Sequence, residues 1–133
     1  LDLFVYNARE FDLDTITDFV IGEDLIDVSQ LGISDFSQLE TFFTQVGTGT
    51  RLSLFFNGDV ESITINNILP SQLSASNFIF ETRTTGFTVN GTSFNDLLFG
   101  SLGNDAISSG NGNDVIVAGA GNDTITGGRG NDE

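Results

Sequence analysis

The sequence predicts a mostly β chain in two parts: a β-sandwich-like unit with one short helix, followed by a parallel β-roll. Residues 91–133 repeat with a period of nine, which is typical of a coil built from stacked short strands. Most of the Phe residues precede Gly86 and most of the Gly residues follow it. We therefore predict a front unit over 1–86 and a repetitive unit over 87–133.

The front unit begins with short runs that favour β structure. LDLFVYN (1–7) alternates two sets of apolar residues, and DTITDFVIG (14–22) and LIDVS (25–29) are rich in β-branched residues. Each run is short enough to form one strand of a sandwich.

One segment, SDFSQLETFFTQ (34–45), has the pattern of a helix instead. Ser34 is a suitable N-cap, and Asp35 falls in the first turn, where a negative charge is favourable. The predicted apolar face of this helix carries Phe36, Leu39, Phe42 and Phe43.

The rest of the front unit predicts a hairpin and a final strand. TRLSLFFNG and ESITINN flank Asn57-Gly58-Asp59, a sequence typical of a tight β-hairpin turn. A turn at Leu69-Pro70-Ser71 then leads to the strand NFIFE (77–81). We expect the aromatic residues of this unit to form its core rather than a ligand cleft. These are Phe4, Phe19, Phe36, Phe42, Phe43, Phe55, Phe78 and Phe80.

The repetitive unit consists of GTSFNDLLF, GSLGNDAIS, SGNGNDVIV, AGAGNDTIT and GGRGNDE. An Asp recurs at 96, 105, 114, 123 and 132, each preceded by Asn, and an aliphatic residue follows two places later at Leu98, Ile107, Ile116 and Ile125. Isolated β-turns or a disordered polar tract would not keep these features in register. The first unit departs from the pattern at Thr92 and Phe94, and the fifth stops at Glu133, so we expect the array to continue in a longer protein.

Composition excludes several classes of function. The chain has four basic residues against 19 acidic ones, a formal charge of -15, which disfavours nucleic acid as a partner. Without His or Cys it has no Ser-His or Cys-His pair and no zinc site of the usual kind. No apolar run is long enough for a membrane span or the core of a signal peptide, so we expect any export signal to lie outside the N-terminus of this sequence. A bound divalent cation would offset the self-repulsion of so acidic a chain.

The nonapeptides resemble the G-G-x-G-x-D-x-U-x repeats of RTX proteins, which bind calcium. The resemblance implies that each unit is a six-residue turn plus a three-residue strand and that two units make one coil. Stacked turns would then place Asp96, Asp114 and Asp132 on one edge and Asp105 and Asp123 on the other. We predict ions between Asp105 and Asp123, between Asp114 and Asp132, and between Asp96 and Asp114, two or more Ca²⁺ in total. Glycine carbonyls complete the predicted ligand set, at Gly103, Gly110, Gly112, Gly119, Gly121, Gly128 and Gly130.

Ile107, Ile116 and Ile125 are the predicted core of the roll. So small a core predicts that metal binding and folding are coupled.

The front unit resembles the C-terminal domain of serralysin-type metalloproteases and related type I secretion targets. LDLFVYN, DTITDFVIGEDLIDVSQLG and ITINNILPSQLSASNFIF carry this resemblance. It implies a sandwich continuous with a β-roll, with the catalytic zinc domain of the family absent. Asp14, Asp18, Asp24 and Asp27 form a second candidate metal group, in which Asp14 is preferred. The alternative is that all four are solvated strand-end and turn residues.

These observations predict a non-enzymatic, calcium-binding folding and secretion module of an exported bacterial protein, with the type I secretion machinery as a partner. The alternative is an adhesion or carbohydrate-binding module that contacts a glycan or a cell surface. Ice binding is disfavoured, because ice-binding relatives carry Thr at the third turn position. Here that position holds Ser93, Leu102, Asn111, Ala120 and Arg129.

Overall fold

A computed structural model of the chain describes residues 1–6 and 11–133. Strands are the main regular structure of the described residues, with a single α-helix and three 3-10 turns, which confirms the predicted fold class. Asn7, the last residue of the first predicted strand, lies outside the described part. No helix among the described residues is long and apolar enough to cross a membrane.

The front unit contains two sheets and the helix. Its elements are β1 (Leu3–Val5), β2 (Leu13–Ile16), β3 (Leu25–Asp27), α1 (Phe36–Glu40), β4 (Phe43–Val46), β5 (Gly49–Phe56), β6 (Asp59–Ile65) and β7 (Phe78–Ile79). One sheet is fully parallel, in the order β1-β3-β7, and the other has the order β2-β6-β5-β4. In the second sheet β2 runs parallel to β6, whereas β6, β5 and β4 are antiparallel.

The β5–β6 hairpin has the predicted turn. Phe56 pairs with Asp59 across a two-residue loop in which Asn57 has a φ of 54° and Gly58 a φ of 84°. Positive φ at both central residues matches the right-handed twist of the flanking strands, which is why Asn-Gly is favoured there. This turn fixes the register of the longest strand pair in the front unit.

The predicted helix is shorter than expected, and its cap is different. α1 covers Phe36–Glu40, and the Asp35 side chain, not Ser34, caps it by accepting a hydrogen bond of 3.1 Å from the Gln38 N–H. Phe42 lies in the turn after α1 and Phe43 belongs to β4, so the prediction that both lie on the helix face is wrong. A run of β-branched and aromatic residues follows Glu40, and pairing with β5 satisfies its backbone groups as a strand.

The two front sheets share one hydrophobic core, which makes the unit sandwich-like. Ile26 from the parallel sheet and Leu52, Leu54, Ile63 and Ile65 from the mixed sheet are each at most 2% exposed. Full burial of one such side chain stabilises the fold by roughly 1.5–3 kcal/mol. The predicted aromatic residues belong to the same core, either as buried members or as partly buried residues packed against it.

The repetitive unit is a parallel β-roll. Its strands are β8 (Thr88–Asn90), β9 (Leu97–Phe99), β10 (Ala106–Ser108), β11 (Val115–Val117) and β12 (Thr124–Thr126). They form two sheets, β8-β10-β12 and β9-β11. Ile107 lies beside Ile125, and Val115 beside Leu97, so strands eighteen residues apart in sequence stack as predicted.

The core of the roll differs from the prediction. Ile107 is 1% exposed, but Ile116 is only half-buried and Ile125 is 51% exposed. Leu98 and Val89 complete the buried cluster instead. β12 pairs with β10 on one side only, so no described strand covers the far side of Ile125.

Strand β9 joins the roll to the front unit. Leu98 faces the core of the roll, whereas Leu97 and Phe99 are fully buried in the core of the front unit. The Phe99 ring meets the Phe42 ring edge-on at a centroid distance of 6.2 Å. Apolar packing is therefore continuous between the two parts, and the domain boundary at Gly86 stays a prediction.

Candidate metal centre

The six-residue turns of the roll stack in two columns. Turns 91–96, 109–114 and 127–132 lie on one edge, and turns 100–105 and 118–123 lie on the other. A parallel stack at about 4.8 Å per step brings equivalent atoms of successive turns within reach of one ion. Turns eighteen residues apart therefore stack directly on one another, because each coil of the roll contains eighteen residues.

The repeat aspartates are linked from coil to coil. The Asp96 N–H donates to Asp114 Oδ1 over 2.9 Å, and the Asp105 N–H donates to Asp123 Oδ1 over 2.9 Å. The Asp114 N–H donates to Asp132 Oδ1 over 3.2 Å. Each later carboxylate is therefore anchored by one oxygen, and its orientation is set by the preceding coil.

The asparagines form a second ladder on the exposed side. Asn113 N–H donates to Asn95 Oδ1, Asn122 N–H to Asn104 Oδ1 and Asn131 N–H to Asn113 Oδ1, over 2.8 to 2.9 Å. The Asn before each repeat Asp was not among the predicted site residues. Here it satisfies a backbone donor of the next coil.

The first turn closes on its own aspartate. The N–H and Oγ1 of Thr92 donate to Asp96 Oδ2 over 2.6 and 2.8 Å, and the N–H of Asn57 donates to Oδ1 over 2.9 Å. Thr92 stands where the repeat pattern has Gly. Its hydroxyl and the hairpin turn of the front unit together engage both oxygens of a buried carboxylate.

The second turn closes in the same way, through Ser101, which was not among the predicted site residues. The Ser101 N–H donates to Asp105 Oδ2 over 2.7 Å, and the Ser101 hydroxyl lies 3.0 Å from Oδ1. The Phe87 N–H donates to Oδ1 over 2.9 Å. The signal was available in the sequence, because Ser101 occupies the same turn position as Thr92.

The third turn leaves its aspartate open. Asp114 is 1% exposed, and its Oδ2 is a buried side-chain oxygen without a hydrogen-bond partner among the described residues. An unsatisfied buried polar atom costs roughly 1–3 kcal/mol, and more when the group is charged. Carboxylate and carbonyl oxygens are the ligands that calcium prefers, so this orphan oxygen fits a calcium ion.

Glycine is required where the turns stack closely. Gly110 has a φ of 98° and Gly112 a φ of 124°, and a Cβ at either position would overlap the carbonyl oxygen of Thr92 or Phe94 in the coil before. Positive φ values recur at Gly119, Gly121, Gly128 and Gly130. Gly103 packs differently, since a Cβ there would meet Thr84 and Gly86 of the segment before the roll.

A comparison with protein families decides the nature of this array. Residues 88–116 and 108–133 match the family described as RTX calcium-binding nonapeptide repeat (4 copies). The final third of the chain is an array of RTX calcium-binding repeats. The match leaves out the front unit, so the resemblance of that unit to serralysin-type C-terminal domains stays a prediction. Neither the curated proteins nor the solved structures contain a significant match to the chain.

The second predicted metal group is dispersed in the structure. In the described part of the chain, no three acidic side chains come together in a way that could hold an ion. Asp14 is exposed on β2, where it pairs with Ile63 of β6 and lines an open groove. Burial raises the pKa of the nearby Tyr6 phenol to about 12, and the charge of Asp14 adds to this shift. The role of Asp14 as a metal ligand stays a prediction.

Asp24 repeats the geometry of the RTX turns inside the front unit. Its Oδ2 accepts from the Val20 N–H over 2.8 Å, and its Oδ1 accepts from the Asp2 N–H over 2.7 Å, across the β1–β3 pair. These bonds, first that from Asp2 and then that from Val20, lower the pKa of the Asp24 carboxyl. The spacing Gly22-x-Asp24-x-Ile26 matches the second half of a nonapeptide, and it is the signal that could have identified this turn.

Proposed function

We propose that this chain is a non-catalytic, calcium-dependent folding module of an exported bacterial protein. The observation that carries the proposal is the orphan Oδ2 of Asp114, buried inside a stacked Gly-Asp turn of an RTX array. A carboxylate oxygen in that position requires a cation to offset the cost of its burial.

The proposed ion lies between stacked turns. Asp114 and Asp132 supply carboxylate oxygens on one edge, and carbonyls of Gly110, Gly112 and Gly128 lie in the same column of turns. Calcium takes six to eight oxygens at about 2.3–2.6 Å with flexible geometry, which suits a site made largely of backbone. The other edge offers Asp123, with Gly119 and Gly121. The same chemistry gives at least two ions per chain.

Charge and core size support a coupling of calcium binding to folding. The chain has a formal charge of -15, and the self-repulsion of such a chain opposes compaction. The roll contributes few buried side chains of its own, so the free energy of metal binding supplies what the core does not. In a compartment poor in calcium the calcium-binding turns stay unfolded, and they fold in millimolar calcium outside the cell. The RTX resemblance supports export by a type I secretion system.

Isothermal titration calorimetry and circular dichroism test this function together. We expect at least two calcium ions per chain, a gain of β signal on binding, and much weaker binding of magnesium. Magnesium requires a tight octahedron at about 2.0–2.1 Å, which two stacked turns close around poorly. Asp114→Asn is the matched control and should lose one ion. Equal affinity for the two metals, or binding without any structural change, would contradict the proposal.

A second candidate function is glycan binding by the front unit. The outer face of the mixed sheet carries an open groove of about 210 Å³ whose polar side chains include Asp14, Arg51, Ser53 and Thr64. Hydroxyl, guanidinium and carboxylate groups are suitable partners for sugar hydroxyls. A glycan array probed with the calcium-loaded chain, with Arg51→Ala as control, separates this candidate from a folding module. Signals unaffected by the substitution would rule out the groove.

A further inference from the structure

We propose that the residue at the second position of each turn decides whether that turn takes calcium. Ser101 and Thr92 satisfy their own aspartates and exclude the ion, whereas glycine at this position leaves the carboxylate open. The inference deepens the proposed calcium function and rests on it. By this rule turns 109–114, 118–123 and 127–132 are open to calcium, whereas turns 91–96 and 100–105 are closed to it.

Ser101 acts as a built-in replacement for the metal. Its hydroxyl lies 3.0 Å from Asp105 Oδ1 while accepting a hydrogen bond of 3.1 Å from the Gly103 N–H, and its own N–H donates to Oδ2 over 2.7 Å. With the Phe87 N–H, three donors engage both oxygens of a carboxylate that is 2% exposed. An ion at Asp105 would have to displace these bonds inside a buried site, where leaving a donor unpaired is costly in free energy.

In the first turn Thr92 likewise satisfies its own aspartate, together with a donor from the front unit. Its hydroxyl donates to Asp96 Oδ2 and accepts from the Phe94 N–H at 3.2 Å. The Asn57 N–H, in the hairpin turn of the front unit, donates to Oδ1. Both oxygens of Asp96 are therefore engaged before any metal arrives.

Gly110 cannot provide such a closure. Glycine has no hydroxyl, and its φ of 98° is a backbone conformation that other residues rarely adopt. At Asp96 and Asp105, Oδ2 accepts from the N–H four residues earlier, whereas Asp114 Oδ2 has no hydrogen-bond partner in the part of the chain that the structure describes. Gly119 opens the fourth turn with a φ of 87°, and the hydrogen bond that the structure describes at Asp123 engages Oδ1.

The rule ranks the predicted calcium sites by how many open aspartates each contains. Asp114–Asp132 joins two open turns, whereas Asp105–Asp123 and Asp96–Asp114 each pair an open aspartate with a closed one. The two closed turns also receive donors from outside the open turns: Asn57 of the front unit donates to Asp96, and Phe87, the first residue of the repetitive unit, donates to Asp105. They form a calcium-independent base on which the calcium-dependent turns stack.

Converting a closed turn into an open one tests the inference. We expect Ser101→Gly to bind calcium on the Asp105–Asp123 edge at least about tenfold more tightly than the wild-type chain in calorimetry, because it frees Asp105 as a second carboxylate and permits positive φ at position 101. Ser101→Ala is the matched control: it removes the hydroxyl but retains the Cβ, and its affinity should equal that of the wild-type chain. Adding Asp105→Asn to Ser101→Gly should abolish the gain in affinity.

A measurement on the unchanged chain keeps the inference testable if Ser101→Gly does not fold. Carboxyl ¹³C chemical shifts, followed by NMR during a calcium titration, should move for Asp114 and Asp123 and stay fixed for Asp96 and Asp105. A large shift at Asp105, or equal calcium affinity for Ser101→Gly and Ser101→Ala, would overturn the inference while leaving calcium binding intact. If the unchanged chain binds no calcium at all, the proposed function itself fails.

Discussion

At the scale of single residues, the five repeat aspartates all follow an Asn in the sequence, but their environments differ. Asp105 accepts three donors from Phe87 and Ser101, whereas Asp114 keeps one buried oxygen unsatisfied. An aspartate carboxylate therefore stabilises the metal-free chain at position 105 and destabilises it at position 114. This difference has a direct consequence for substitutions.

We expect Asp114→Ala to raise the calcium midpoint of folding by at least about tenfold, because it removes a ligand. Asp105→Ala should shift the midpoint less, but it should lower the stability measured in chelator by about 1–3 kcal/mol, because it leaves buried donors unpaired. Calcium titrations and urea unfolding in chelator, both followed by circular dichroism, check the two effects. A larger midpoint shift for Asp105→Ala would mean that the assignment of open and closed turns is wrong.

The carboxyl of Asp24 predicts a pH dependence for the front unit. Hydrogen bonds lower its folded-state pKa below the ordinary value of 3.8, so its stabilising effect is fully present above that pH. The effect is lost as the pH falls through the lowered pKa. Urea unfolding at several pH values in chelator should therefore show declining stability below about pH 4. Asp24→Asn should flatten that decline, and an unchanged slope in this variant would show that other carboxyls cause it.

At the scale of secondary structure elements, β9 is the strand that couples the two parts. Leu97 and Phe99 point into the front core and Leu98 into the roll, so the strand is buried on both faces. Parallel strands covered on both sides are typically continuous apolar runs, and LLF is one. The stability of the front unit therefore depends on a residue of the first repeat.

We expect Phe99→Ala to destabilise the chain by about 3–5 kcal/mol, because it leaves a cavity beside Phe42. Phe94→Ala is a matched control in the same repeat: Phe94 is 60% exposed, and its loss should change the free energy of unfolding by less than about 0.5 kcal/mol. Urea unfolding of both variants in saturating calcium gives the comparison. Similar values for the two would show that β9 contributes little to the front core.

At the scale of the whole molecule, order is expected to decline along the roll when calcium is removed. Burial of the central aliphatic residue falls from Ile107 at 1% exposed to Ile125 at 51% exposed. Protein donors close the turns at Asp96 and Asp105, whereas we propose that the turns from Gly110 onward depend on the ion. Local stability should follow this gradient.

Hydrogen exchange in chelator, resolved along the chain by mass spectrometry, measures the gradient. We expect protection in the front unit and through β9, with fast exchange from Gly110 onward. Millimolar calcium should restore protection to the later coils. Uniform protection without calcium, or uniform loss including β5 and β6, would contradict this division.

Much of the roll could be predicted from sequence because its information is local and repeated. Period nine, a phased aliphatic residue and an Asp in every turn determine an eighteen-residue coil whatever surrounds it. The Asn57-Gly58 hairpin was predictable for the same reason, since two adjacent residues set its geometry. A two-column stack of aspartates follows from these local rules alone.

Only the tertiary structure decided which of these aspartates are open and how the roll joins the front unit. The donors to Asp96 and Asp105 include Asn57, thirty-nine residues away, and Phe87, eighteen residues away. The early end of α1 and the double burial of β9 also depend on pairing with distant strands. Local sequence preferences determine a turn or a coil. Hydrogen bonds and apolar contacts between distant residues form only where separate elements meet, so they exist only in the folded chain.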